Sequence, residues 1–147
     1  MCSIRPGSTL GTMRPDYPPC AQCAGEPERW LAVPDWEGFY AVSDYGRVRS
    51  FHGAGRLLAP RPDSDGYPGV ALSGRGRLVP RKVHQLVLVA FVGPVPAGQE
   101  CRHWDDEPDH CHAGNLLYGT RSDNHDDRRR NHAGRRNAYR IPLRWLD

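Results

Sequence analysis

Along this chain the spacing of apolar and polar positions changes from period two to period three-and-a-half, and the change separates two kinds of structure. Residues 30–50, WLAVPDWEGFYAVSDYGRVRS, alternate apolar and polar positions about two sharp turns, which predicts short β-strands. Tyr40-Ala-Val-Ser and Gly46-Arg-Val-Arg-Ser flank the Asp44-Tyr-Gly turn, so Tyr40, Val42 and Val48 face a small core while Arg47 and Arg49 point outward. Residues 57–79 continue in strand-like pieces, predicting a small antiparallel sheet. Gly74-Arg-Gly within them reads as a hairpin turn, since a lone Gly-x-Gly between strands is a weak phosphate-loop signal. The period then changes. In VHQLVLVAF, Val83, Leu86, Val87, Ala90 and Phe91 fall at three- and four-residue steps, a helix face that stops before Gly93-Pro94.

Downstream, residues 100–103 read as a brief strand, residues 104–113 as a polar loop rich in the turn formers Asp105, Asp106, Pro108 and Asp109, and Leu116-Leu117-Tyr118 as a returning strand. Together they predict a hairpin. Thr120-Arg-Ser-Asp123 has the form of a capping box, so Thr120 is expected to open a helix whose first turn carries Asn124 facing back towards His103. That helix is expected to run to around His132, with Ala133-Gly134 as its stop. The fold class expected is α+β: a flexible leader over residues 1–28, a strand-rich module over 29–80, a hairpin-and-helix unit over 81–134, and a basic tail over 135–147.

Composition narrows the class of partner. With 147 residues, 38% hydrophobic and 25% charged, the chain fits one compact domain or two small modules. No apolar run is long enough to span a membrane and the N-terminus lacks a signal peptide's hydrophobic core, so a cytoplasmic location without membrane contact is expected. The formal net charge is +3, and Lys82 is the one basic residue that is not Arg among 20. Eight of those Arg lie in residues 121–144 against four acids in 123–147, which suits a nucleic-acid backbone or a solvated tail. Five cysteines, at positions 2, 20, 23, 101 and 111, do not look like a secreted disulfide framework. Cys20-Ala-Gln-Cys23 is half of a structural zinc site, whose other half would have to come from Cys101, Cys111, His110 or His112. Unpaired thiols in a loose leader are the other reading.

The strand, strand, helix unit with His103 ending its first strand resembles the HNH endonucleases, whose ββα-metal fold clasps one divalent cation between hairpin and helix. The twelve-residue step from His103 to Asn115, the Asn115-Leu116 pair and the Gly119-Thr-Arg-Ser-Asp-Asn124 helix entry look like the homing branch. The Val-His-x-Leu-Val-x-x-Ala-Phe segment at residues 83–91 is similar to the one preceding the histidine hairpin there. Residues 30–50 also resemble the modular DNA-binding motif found beside homing nucleases, through Tyr-x-Val-Ser and Gly-Arg-Val-Arg-Ser.

The resemblance implies a metal-dependent endonuclease acting on double-stranded DNA, of a kind usual in bacteria and bacteriophage. Catalytic residues would be His103, as general base for water, and Asn115, fixing the loop and the orientation of that imidazole. Asn124 would offer an oxygen to Mg²⁺ or Mn²⁺, and Arg47, Arg49, Arg102, Arg121 and Arg128 are candidate DNA contacts. One position departs from the family. Many members carry an acidic metal ligand just before the histidine, where this chain has Arg102, and a guanidinium cannot bind a cation. Either Asp105 supplies the missing carboxylate, or Arg102 contacts phosphate with fewer protein ligands on the ion, or the chain is a degenerate DNA-binding protein on the same scaffold. His84 is expected to be structural and hydrogen-bonded at the junction of helix and sheet. A zinc-stabilised interaction domain using Cys20, Cys23, Cys101 and Cys111 is a further reading.

Overall fold

The computed structural model of the chain describes residues 27–138, with side chains to residue 133. The leader pair Cys20 and Cys23 and the tail beyond residue 138 lie outside the described residues.

Four short strands, β1 (Trp30–Ala32), β2 (Tyr40–Ser43), β3 (Val48–Ser50) and β4 (Arg56–Leu57), form an antiparallel sheet in sequence order. Its register, with Val42 opposite Val48 and Tyr40 opposite Ser50, puts Tyr40, Val42 and Val48 at 3% exposure or less, while Arg47 and Arg49 remain exposed. Strands β5 (Arg61–Pro62), β6 (Pro68–Gly74) and β7 (Arg77–Lys82) form a second antiparallel sheet, in the region where the sequence predicts one. Arg75 and Gly76 turn β6 into β7 at φ 52° and 71°, the paired left-handed conformations of a two-residue hairpin. Here Gly74-Arg-Gly makes a turn.

Helix α1 (Val83–Phe91) starts directly from β7 and buries Val83, Leu86, Val87 and Leu88. These residues share one apolar cluster with Val42, Val48, Val70 and Leu72 on one side and Cys111 and Leu116 on the other. Each large aliphatic residue fully buried there contributes roughly 1.5–3 kcal/mol, so α1 is the common core of both modules. The hairpin β8 (Glu100–His103) and β9 (Leu116–Gly119) pairs antiparallel, with His103 opposite Leu116 and a 3-10 turn over Ala113–Asn115 leading into β9. It lies between α1 and the second helix, α2 (Arg121–Ala138), contacting both.

Helix α2 begins as the capping box requires. Asp123 N–H donates to Thr120 Oγ1 at 3.2 Å, and Thr120 N–H donates back to Asp123 Oδ2 at 2.8 Å. It does not stop at Gly134 but runs on to Ala138, through the boundary expected between unit and tail. A single helical glycine costs only about 1 kcal/mol against alanine, and the Arg and Ala residues around it are good helix formers.

The strand module and the hairpin unit are joined at one turn. Ala113 N–H donates to the Asp44 carbonyl at 2.8 Å, and the Tyr45 and His112 rings lie 4.8 Å apart. Gly46, at φ +80°, comes so close that a Cβ on it would sit 2.8 Å from the Cys111 carbonyl oxygen. Only glycine fits that approach.

Candidate active site

Strand β8 sends successive side chains to opposite faces of the hairpin, as any strand must. Glu100 and Arg102 reach α2, whereas Cys101 packs against the core and the His103 ring stands beside α1, its centroid 5.0 Å from His84 and 5.6 Å from Tyr67. Both imidazoles are 5% exposed, and His103 Nε2 and His84 Nδ1 have no hydrogen-bond partner among the described residues. Burial pushes His103 down to about 3, helped by His84 next to it, and His84 down to about 4, helped by Lys82. Both rings are therefore neutral near pH 7, each with a lone pair available. Cys111 reaches the same place: a nitrogen from each ring and its Sγ lie within 4.8 Å of one another, all three residues buried. Burial pushes that thiol up to about 12.

The loop between β8 and β9 is tied by Asn115, which is 4% exposed. Its Nδ2 donates to Asp105 Oδ1 at 2.9 Å and to the His110 carbonyl at 3.0 Å, and its own carbonyl accepts Trp104 N–H at 2.9 Å. Asp105 is the loop's hub, meeting Glu107 N–H at 3.0 Å through Oδ1 and His110 Nδ1 at 2.5 Å through Oδ2. Burial opposes its charge, but the bonds from His110, Glu107 N–H and Asn115 outweigh that and hold its carboxyl below the usual range.

On the opposite face, Asp127 is 1% exposed and carries two cations, Arg102 Nη1 at 2.8 Å and Arg130 Nη2 at 2.7 Å. The Arg102 stem lies across Gly119, where a Cβ would meet Nε at 2.5 Å. Beside this pair a shallow cleft is lined by Glu100, Arg121, Asn124, His125 and Arg128, and Asn124 Nδ2 donates to Glu100 Oε1 at 2.9 Å. Oxygen donors and guanidinium groups thus share one open surface.

A hairpin ending in histidine, a loop pinned by asparagine and a capped helix opposite make a recognisable unit, and comparison with known families agrees. Residues 28–73 match the family model of the NUMOD4 motif, and residues 81–126 match that of the HNH endonucleases. The chain carries an HNH endonuclease domain behind a NUMOD4 motif. Among solved structures it is similar, at 28% identity and a TM-score of 0.64, to the HNH homing endonuclease I-HmuI, in a structure described as showing DNA binding and cleavage. The match covers 69% of this chain and 58% of that one. No curated protein sequence matches.

Within the HNH domain the structure brings together only some of the residues that the sequence singles out. Asn124 does not face His103: it bonds Glu100 on the other side of the hairpin, because adjacent strand positions point apart. Asp105 is held in the loop by Asn115 and His110, and no contact joins it to Asn124. Arg102 is turned onto Asp127 and does not line the cleft that Arg121 and Arg128 share. His84 is not hydrogen-bonded through Nδ1 as expected but stands against His103. In the NUMOD4 motif, Arg49 lies 4.7 Å over the Trp30 ring, and Arg47 is paired with Glu28. Two residues were missed. Glu100 shares a strand face with Arg102, and Asp127 lies one helical turn beyond Asn124, so the two periods, applied together, could have marked both.

Proposed function

We propose that this chain is an HNH homing-type endonuclease that hydrolyses phosphodiester bonds of double-stranded DNA with the help of one divalent ion. The observation that carries the reading is the His103 ring itself: neutral, with an unpartnered Nε2, on the strand end that the Asn115-pinned loop holds. In this reading His103 accepts a proton from the attacking water, and the negative charge of the scissile phosphodiester raises the basicity that burial suppresses. Asn115 acts as a positioning residue: its side chain holds the loop that follows His103 through Asp105 N–H, Asp105 Oδ1 and the His110 carbonyl.

Oxygen donors suited to Mg²⁺ or Mn²⁺ stand at Asp105, whose charge acts on His103, and at Glu100 and Asn124 across the hairpin; an ion serving the same phosphate as His103 would be held on the Asp105 side. Such an ion, when bound, neutralises charge developing on the leaving oxygen. Arg121 and Arg128 in the cleft beside Glu100 and Asn124 grip the backbone, and the exposed Arg49 extends the grip across the NUMOD4 motif, with Arg47 joining if it leaves Glu28. Among the described residues no helix is long and apolar enough to cross a membrane.

The test is conversion of supercoiled plasmid to nicked or linear form with Mg²⁺ or Mn²⁺. The native chain should cut, and His103→Ala should be slower by a factor on the order of 10² to 10⁴. An inert native chain that still binds DNA with salt-sensitive affinity would instead favour a degenerate binding protein, for which Arg102 locked onto Asp127 supplies the physical reason.

A further inference from the structure

Three buried donors converge where the reaction just described uses only one of them. His84 comes from the first turn of α1, His103 from the end of β8 and Cys111 from the loop before β9, so three separate elements of the fold deliver them to one point. Two of their ring nitrogens, on residues 5% exposed, have no hydrogen-bond partner, an expensive state for a buried acceptor unless something else occupies it. Cys111 Sγ sits close enough to the start of α1 to receive the backbone N–H of His84, a bond that partly offsets the burial that keeps it a thiol until a cation displaces its proton.

We infer that His84, His103 and Cys111 form a binding site for a thiolate-preferring divalent ion of the Zn²⁺ class, and that its occupancy switches the nuclease off. Two imidazoles and a thiolate are donors that Zn²⁺ takes readily and that Mg²⁺ refuses, so the site is chemically separate from the oxygen donors Asp105, Glu100 and Asn124. Tetrahedral Zn²⁺ ligands lie about 3.5 Å apart, so separations within 4.8 Å close by small side-chain rotations. Binding occupies a lone pair of His103, and an imidazole held by a metal cannot take a proton from water. The inhibitory half of the inference rests on His103 being the general base; the site itself does not.

Co²⁺ added to the chelator-treated full chain reads the site by the thiolate-to-cobalt charge-transfer band, and Zn²⁺ should abolish that band by displacement. The band is expected in the native chain and in the Cys20→Ser/Cys23→Ser variant, lost in Cys111→Ser and weakened in His84→Gln, with circular dichroism showing that both single variants are folded. A native chain with no band, or a band that survives Cys111→Ser and vanishes with Cys20→Ser/Cys23→Ser, overturns the site. For inhibition, one equivalent of Zn²⁺ should suppress Mg²⁺-dependent nicking by the native chain, each variant being compared with its own zinc-free rate. Equal suppression in Cys111→Ser overturns the switch. A chain that never cuts but shows the cobalt band defeats the nuclease reading and leaves the metal site standing.

Discussion

Restoring an acid before the histidine, by Arg102→Asp, is the obvious attempt to bring this chain into line with its family, and its physical cost can be worked out. The Arg102 side chain is 14% exposed and Asp127 2%, so the pair is largely out of water. Removing one partner of such a pair typically costs 3–5 kcal/mol, roughly the stabilisation a small domain can spare. Arg130 still meets Asp127 at 2.7 Å and softens the loss, but the introduced carboxylate adds repulsion of about 3 kcal/mol at 5 Å and an effective dielectric near 20. A net loss of about 3–5 kcal/mol is expected for Arg102→Asp, and about 3 kcal/mol for Asp127→Asn, which leaves the guanidinium buried without its anion. The double variant carries neither fault, and its loss should fall short of the summed single losses by at least about 2 kcal/mol. Urea unfolding at pH 7 of the four proteins measures this coupling. Additivity within about 0.5 kcal/mol would refute the pairing as an energetic unit. The double variant is also the fairer vehicle for testing an acid at position 102 in the nicking assay, because the single one tests it in a weakened fold.

The metal-free chain should lose stability as pH falls below 6.5, the ordinary histidine value, because the folded values of His84, His103 and His112 are lowered to about 4, 3 and 4 and the unfolded chain therefore binds protons that the folded one refuses. At pH 5 this amounts to at most about 2 kcal/mol per imidazole, and a urea midpoint unchanged between pH 7 and pH 5 would count against their burial. Gly46→Ala should cost about 2–3 kcal/mol, combining a left-handed backbone with a Cβ 2.8 Å from the Cys111 carbonyl, and a thermal unfolding curve matching the native one would show that the turn gives way freely.

What the sequence made legible is what local rules govern. The inward set Tyr40, Val42 and Val48, the α1 stripe, the hairpin and the Thr120–Asp123 box follow from period two, period three-and-a-half and capping chemistry acting over a few residues. Asn115 was legible as an organiser of its loop for the same reason, its partners Asp105 and His110 being near neighbours in the chain. The meeting of His84, His103 and Cys111 was not, since it arises only when the hairpin and its loop are laid on α1. Nor was the burial of Asp127. An acid in a run of acids and arginines reads as a local pairing partner, as it is for Arg130, and its burial shows only when Arg102 is seen to come at it from a strand.

The seam at Gly46 carries a last consequence. Because the turn of the NUMOD4 motif and the backbone of the loop flanking His103 touch without a side chain between them, the two halves of the molecule cannot slide or swing past each other as domains on a tether do. In the nuclease proposed above this seam would act as a caliper: the distance along a duplex from the stretch gripped to the bond broken would be fixed by the protein's own skeleton, and one cut position would accompany each footprint.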